Sequence, residues 1–226
     1  MFKENKEPQI TTEAVEDKEA IWDKKLAEIN EIADNLGHGI DDAVKEVIIG
    51  LQLLGVDTRQ SCEGHVDSGI SAPWIQISEP EKPEEQFIDE LEKFREVAEK
   101  YNLSVDRVIH GEPFEAWSEA VLATSDEETQ EYKEWRQKNE PLKKQVEGYL
   151  EEFYQDRDVT EDEKLVISEN ATGEFEIGNG GEDYRPAEEK WKNMDDKGKQ
   201  ALKERLVDYQ EEVRSFGEFL REKFLD

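Results

Sequence analysis

Cysteine is nearly absent from this 226-residue chain: Cys62 stands alone, so no intrachain disulfide can form. Histidine is almost as scarce, with three residues: His38, His65 and His110. Positive charge is short as well, with 29 Lys and Arg against 59 Asp and Glu, a formal net charge of -30. A surface of that sign opposes direct contact with nucleic-acid backbone or an anionic membrane, since both call for Lys and Arg at phosphate. No apolar run approaches the ~20 residues of a membrane span. Met1-Phe2-Lys3-Glu4-Asn5-Lys6-Glu7 carries no apolar h-region, and the expected location is the cytoplasm. What remains reads as a folded protein. Five Trp, nine Phe and six Tyr supply bulk to bury, which disordered chains lack. With 35% hydrophobic and 39% charged residues, the core is modest beneath extensive solvated helix surface.

The patterning predicts an α+β fold, a small mixed or antiparallel sheet covered by long helices. Residues 1–18 lack periodicity and read as a disordered tail. Residues 19–226 read as one domain, with a site-bearing half (19–124) and a helical half containing a β-hairpin (125–226). Trp22, Leu26, Ile29, Ala33 and Leu36 recur at helical spacing, and Gly37 suits a left-handed stop. Asp41 or Asp42 caps a second helix running to about Leu54, apolar nearly all round and therefore buried. Val56–Cys62 and Trp74–Ser78 read as strands, the second with period-two alternation.

Pro83 suits the first position of the next helix, and Ser104–His110 is a third strand candidate. Asp126–Arg157 is helical, with a break or kink expected at Pro141. Leu165–Ser168 and Glu174–Ile177 form the hairpin. A long C-terminal helix carries Leu202, Leu206, Tyr209, Val213, Phe216 and Leu220 in one stripe, suited either to packing within the chain or to homodimerisation.

Chemistry concentrates in Ser61-Cys62-Glu63-Gly64-His65-Val66-Asp67-Ser68-Gly69, a loop leaving a strand end, where sheet-anchored groups are commonly displayed. Three uses fit these residue types. Cys62 and His65 have the C-x-x-H spacing of a zinc pair, which His38, His110, Glu63 or Asp67 would complete. Alternatively Cys62 is a nucleophile activated by His65, with Glu63 or Asp67 orienting the imidazole. The third use is noncovalent: Arg59, Ser61, Gly64, His65, Asp67 and Trp74 hold a small polar molecule. Set against all three is a plain structural role, Cys62 as a small buried hydrophobe and His65 capping a turn.

The run Leu54-Gly55-Val56-Asp57-Thr58-Arg59-Gln60-Ser61-Cys62-Glu63-Gly64-His65, followed by Gly69 and Ala72-Pro73-Trp74-Ile75, resembles a group of small bacterial and phage proteins. In that group a helix-Gly-strand unit leads into a Cys-x-Gly-His loop and an aromatic strand. The resemblance spans about residues 20–80 and implies a structural unit without implying an activity. The same segment is more faintly similar to the wybutosine tRNA-modifying methyltransferase family, whose motif is Ser-Cys-Ser-Gly-Arg. Glu63 stands here in place of that Ser and His65 in place of that Arg, which removes a guanidinium fork for phosphate or carboxylate. The favoured function is binding, and turnover, of a small polar or nucleotide-like ligand at the Cys62–His65 loop. Its rival is an acidic partner-binding or nucleic-acid-mimicking protein that performs no catalysis.

Overall fold

Helix α2 (Asp42–Leu53) anchors the architecture because it is apolar on almost every side. Val44, Val47, Ile48, Ile49 and Leu51 are all buried, as a helix between two layers requires. This computed structural model describes residues 12–33, 37–67, 69–170, 173–181, 183 and 191–226, with side chains from Lys18 onward. Helix α1 (Thr12–Asn30) precedes α2, and strands β1 (Thr58–Cys62) and β2 (Trp74–Ile77) follow it. Helices α3 (Glu90–Tyr101), α4 (Val105–Ile109), α5 (Phe114–Ala123) and α6 (Gln130–Phe153) come next. Strands β3 (Leu165–Glu169) and β4 (Phe175–Asn179) and helix α7 (Asp196–Leu225) complete the described order. The fold is α+β, with one antiparallel sheet ordered β1-β2-β4-β3. No helix among the described residues is long and apolar enough to cross a membrane.

The chain divides into two compact units that do not follow its sequential halves. One comprises Met1–Ser78, Gln145–Ser168 and Phe175–Asp226; the other, Glu79–Lys144 and Glu169–Glu174. In the first, β2 alternates as its sequence predicts, with Ile75 and Ile77 buried while Trp74 and Gln76 are partly exposed. Register places Ile75 opposite Ile177 and Ile77 opposite Phe175, which fills the sheet's apolar face. On its other side β2 pairs with β1, Cys62 opposite Trp74, past an irregularity between Thr58 and Ser61. All six residues of the α7 stripe are buried, with α7 lying along α2. That stripe packs within the chain.

The second unit is held by Phe94, Val97 and Ala98 of α3, Val108 of α4, and Ala116 and Ala120 of α5. Asn139, fully buried, accepts from the Glu79 amide at 2.6 Å and donates to the Gly173 carbonyl at 3.2 Å. It closes two backbone groups that distance in sequence would leave unpaired.

Five local expectations are corrected. Residues 12–18 are not tail but part of α1, and that helix stops at Asn30, short of Leu36, which lies outside the described residues. Ala33 bridges back to Gly39 instead of extending it. Pro83 does not start a helix. The amides of Gln86 and Phe87 are taken by the Glu90 carboxylate and that of Ile88 by the Glu127 carbonyl, so the chain bridges to Glu128 at Phe87 and turns at residues 88–89 before α3 begins. Val105–Ile109 is helical where Ser104–His110 was expected to be a strand, because Ser104 accepts from the Arg107 amide and caps α4. Finally, α6 runs unbroken through Pro141, which forgoes one intrahelical hydrogen bond without ending the helix.

Buried phenols make the fold sensitive to alkali. Burial pushes Tyr132 and Tyr209 up to about 12 and raises Tyr154 as well; nearby carboxylates, Glu174 for Tyr132 and Asp183 for Tyr209, add to it. An unfolded tyrosine releases its proton near pH ~10. Between that pH and about 12 the folded state binds more protons, so stability present below pH ~10 is lost as pH rises through the window. The urea midpoint is expected to hold steady up to about pH 9 and to fall steadily by about pH 11. A midpoint unchanged over that range would show that the phenols ionise in the fold as readily as in the unfolded chain.

Candidate functional site

β1 ends at Cys62, and the chain then turns through Glu63, Gly64 and His65. Gly64 makes the turn possible, at φ +85° with no room for a side chain. A Cβ there would lie 2.8 Å from both the Ala72 carbonyl carbon and Leu206 Cδ1. The His65 amide donates to the Ile70 carbonyl at 2.8 Å, closing the loop on itself. Gln210 on α7 donates to the Glu63 carbonyl at 3.0 Å, which ties the turn to the long helix.

Asp41 stands at the N-cap of α2, yet its side chain does not cap that helix. Glu63 does so from the strand end, its carboxylate accepting from the Ala43 amide at 3.3 Å. The Asp41 carboxylate accepts instead from the Glu63 amide, at 3.0 Å. This exchange joins the start of α2 to the end of β1. It also frees Asp41 from its expected capping duty and turns it toward Cys62 and His65. Among the described residues, Asp41, Cys62 and His65 form the one group of three such side chains whose donor atoms all lie within 4.8 Å of one another.

The three face a cleft of about 590 Å³. Its polar wall includes Arg59, Ser61, Gln52, Gln60 and His38, and Trp74 adds an aromatic surface. Ile32, Ile40 and Ile48 form the apolar side. Arg59 is braced from below, its Nε donating to the buried Ser78 hydroxyl at 3.3 Å, and Gln52 donates to Thr58 Oγ1 at 2.8 Å. Burial pushes the Cys62 thiol up. The Gly64 amide, 3.4 Å from Sγ, pulls the other way, while the negative charges of Asp41 and Glu63 raise it further. At neutral pH Cys62 is therefore a thiol, which weakens the nucleophile reading because the thiolate is the reactive form.

Most residues predicted from sequence gather here. Cys62, His65, Arg59, Ser61, Trp74 and His38 all line the cleft, and Gly64 shapes the turn behind it. Three expectations are corrected. Glu63 does not orient an imidazole; its carboxylate is occupied by the α2 amide. Asp67 is exposed and outside the cleft lining. His110 belongs to the other unit, exposed at the end of α4, with Nε2 3.3 Å from Asp106 Oδ1. The important residue that sequence reading missed is Asp41. Its position before α2 marked it as a cap, and only the competing Glu63, 22 positions away, reassigns it.

The fold and site thus define an α+β protein with a polar cleft at one strand end. No protein-family model matches the chain, and neither a curated protein nor a solved structure matches it.

Proposed function

We propose that the protein binds a small polar, nucleotide-like molecule in the cleft at the end of β1. The supporting observation is convergence: Trp74, Arg59, Gln52, Gln60, His38 and the Asp41–Cys62–His65 group line one concavity beside an isoleucine wall. An indole face and an apolar wall suit a planar ring. Amide side chains suit its polar edge, and the Arg59 guanidinium suits an attached anion. Within an acidic exterior, the Arg59 side chain supplies a positive group at the cleft wall.

The test is fluorescence and calorimetric titration with a panel of nucleosides and mononucleotides. At least one member is expected to bind saturably and to change the Trp74 emission. Trp74→Leu and Arg59→Gln should each weaken it about tenfold, or about 1.4 kcal/mol. A panel that produces no saturable binding overturns the reading.

A second reading rests on α5. Phe114, Val121 and Leu122 stand 66%, 43% and 84% exposed along one side of the helix, while Ala116 and Ala120 face the unit's core. Acidic Asp106, Glu112, Glu115 and Glu119 lie on α4, α5 and the turn between them. An apolar stripe with an acidic rim fits a basic amphipathic helix from another protein. A Leu/Lys amphipathic peptide is expected to bind in a salt-sensitive manner and to lose binding in Leu122→Glu. Equal binding by that variant would remove this reading.

A further inference from the structure

The donor set beside the cleft goes a step beyond ligand binding. We infer that Asp41, Cys62 and His65 together hold one zinc-class divalent ion, with its fourth coordination position open to the cleft. The inference deepens the cleft reading, since the ion would supply the anchoring point for the ligand's polar group.

The three donors differ in kind and come from separate places. A carboxylate oxygen comes from the start of α2, a sulfur from the last residue of β1, and an imidazole nitrogen from the loop. A thiolate in the set selects zinc-like metals and disfavours magnesium and calcium, which take oxygen ligands. With bonds of about 2.0–2.3 Å, a tetrahedral zinc site places its donors about 3.3–3.8 Å apart. Donor atoms already within 4.8 Å need shifts of about an ångström to close on an ion. His65 is exposed and can make that movement.

The surroundings are those of a prepared site. The Glu63 amide holds Asp41 through Oδ2, and a carboxylate keeps lone pairs for a metal besides that bond. The Gly64 amide points at Cys62 Sγ, a contact that supports a sulfur ligand and fixes its direction. Charge balances too: one thiolate and one carboxylate neutralise a divalent ion. A thiol that becomes a zinc ligand gives up its proton to solvent as the metal–sulfur bond forms. Three protein ligands leave one position, the pattern of zinc sites that bind or activate a small molecule. His38 lines the cleft without joining the donor group, and Glu63 is held at α2.

The test is cobalt titration of the full chain after chelator treatment. One equivalent of Co²⁺ should produce a thiolate-to-cobalt charge-transfer band with visible bands of tetrahedral strength, displaced by Zn²⁺, with about one proton released per ion. Cys62→Ser should abolish the charge-transfer band. His65→Ala and Asp41→Asn should each weaken cobalt binding at least about tenfold, with far-ultraviolet circular dichroism unchanged. Asp41→Asn retains an acceptor for the Glu63 amide, so it separates ligation from folding. His110→Ala, in the other unit, should bind cobalt as the parent does. Absence of the band in the parent, or an Asp41→Asn variant that binds cobalt normally, would overturn the proposal. Saturable nucleotide binding by a chain that takes no cobalt sinks the metal site alone. Cobalt binding without any nucleotide binding sinks the ligand reading alone.

Discussion

Gly50→Ala is expected to destabilise the protein by about 2 kcal/mol, although alanine is the better helix former by about 1 kcal/mol. The reason lies between α2 and α7. A Cβ on Gly50 would stand 2.6 Å from Leu220 Cβ, an atom fixed to the α7 backbone that no rotamer change can move. One turn away, a Cβ on Gly217 would stand 2.8 Å from Glu46 Cβ and 3.1 Å from the Val47 amide nitrogen. The two helices approach at these glycines, and added carbon can be accommodated only by separating them. Separation opens the packing of Val47, Phe216 and Leu220, so the cost exceeds that of one methyl.

Gly217→Ala should behave alike, and the double variant should cost less than the sum, because helices already spread accept the second methyl more easily. Gly148→Ala supplies the control. That glycine is exposed on α6 with nothing within 4 Å of its Cβ position, and the change should stabilise by up to about 1 kcal/mol. Urea unfolding of the three single variants reads the opposite signs directly. A stabilised Gly50→Ala would mean that α2 and α7 do not meet as described.

Gly64→Ala is the second large effect, at about 3 kcal/mol. A left-handed backbone costs a residue with a Cβ about 1–2 kcal/mol, and forcing atoms into a filled space adds about 1–3 kcal/mol. Both apply here, since φ is +85° and the Ala72 backbone and Leu206 stand 2.8 Å from the added atom. Gly69 separates the two contributions. Its φ is +67° with nothing within 4 Å of its Cβ position, so Gly69→Ala should lose only the backbone part. Thermal unfolding of both variants provides the check; equal losses would show that crowding at Gly64 contributes nothing. Because Gly64 lies between Cys62 and His65, its substitution should also weaken binding in the cleft, whereas Gly69→Ala should not.

Much of the fold was legible because its signals are local. The continuous apolar surface of α2 implied burial between layers, and the stripe on α7 implied a packed helix face. The alternation of β2 separated Ile75 and Ile77 from Trp74 and Gln76, and packing decided that the isoleucines face inward. Errors occurred where side-chain hydrogen bonds override propensity. Val105, Val108 and Ile109 favour a strand by type, but Ser104 caps them into a helix. Pro83 suits a helix start, but the Glu90 carboxylate collects the amides that such a helix would have used.

The site divides in the same way. The sequence by itself determined that Cys62 and His65 share a loop at a strand end, since a spacing of three with a glycine between them cannot place them far apart. Tertiary structure alone decided which carboxylate joins them. Asp41 and Glu63 are 22 positions apart, and their exchange of amide partners depends on α2 beginning where β1 ends. It also left His110 paired with Asp106 in the other unit. A hydrogen bond over that separation has no trace in composition or periodicity; it exists only once the helix and strand are packed.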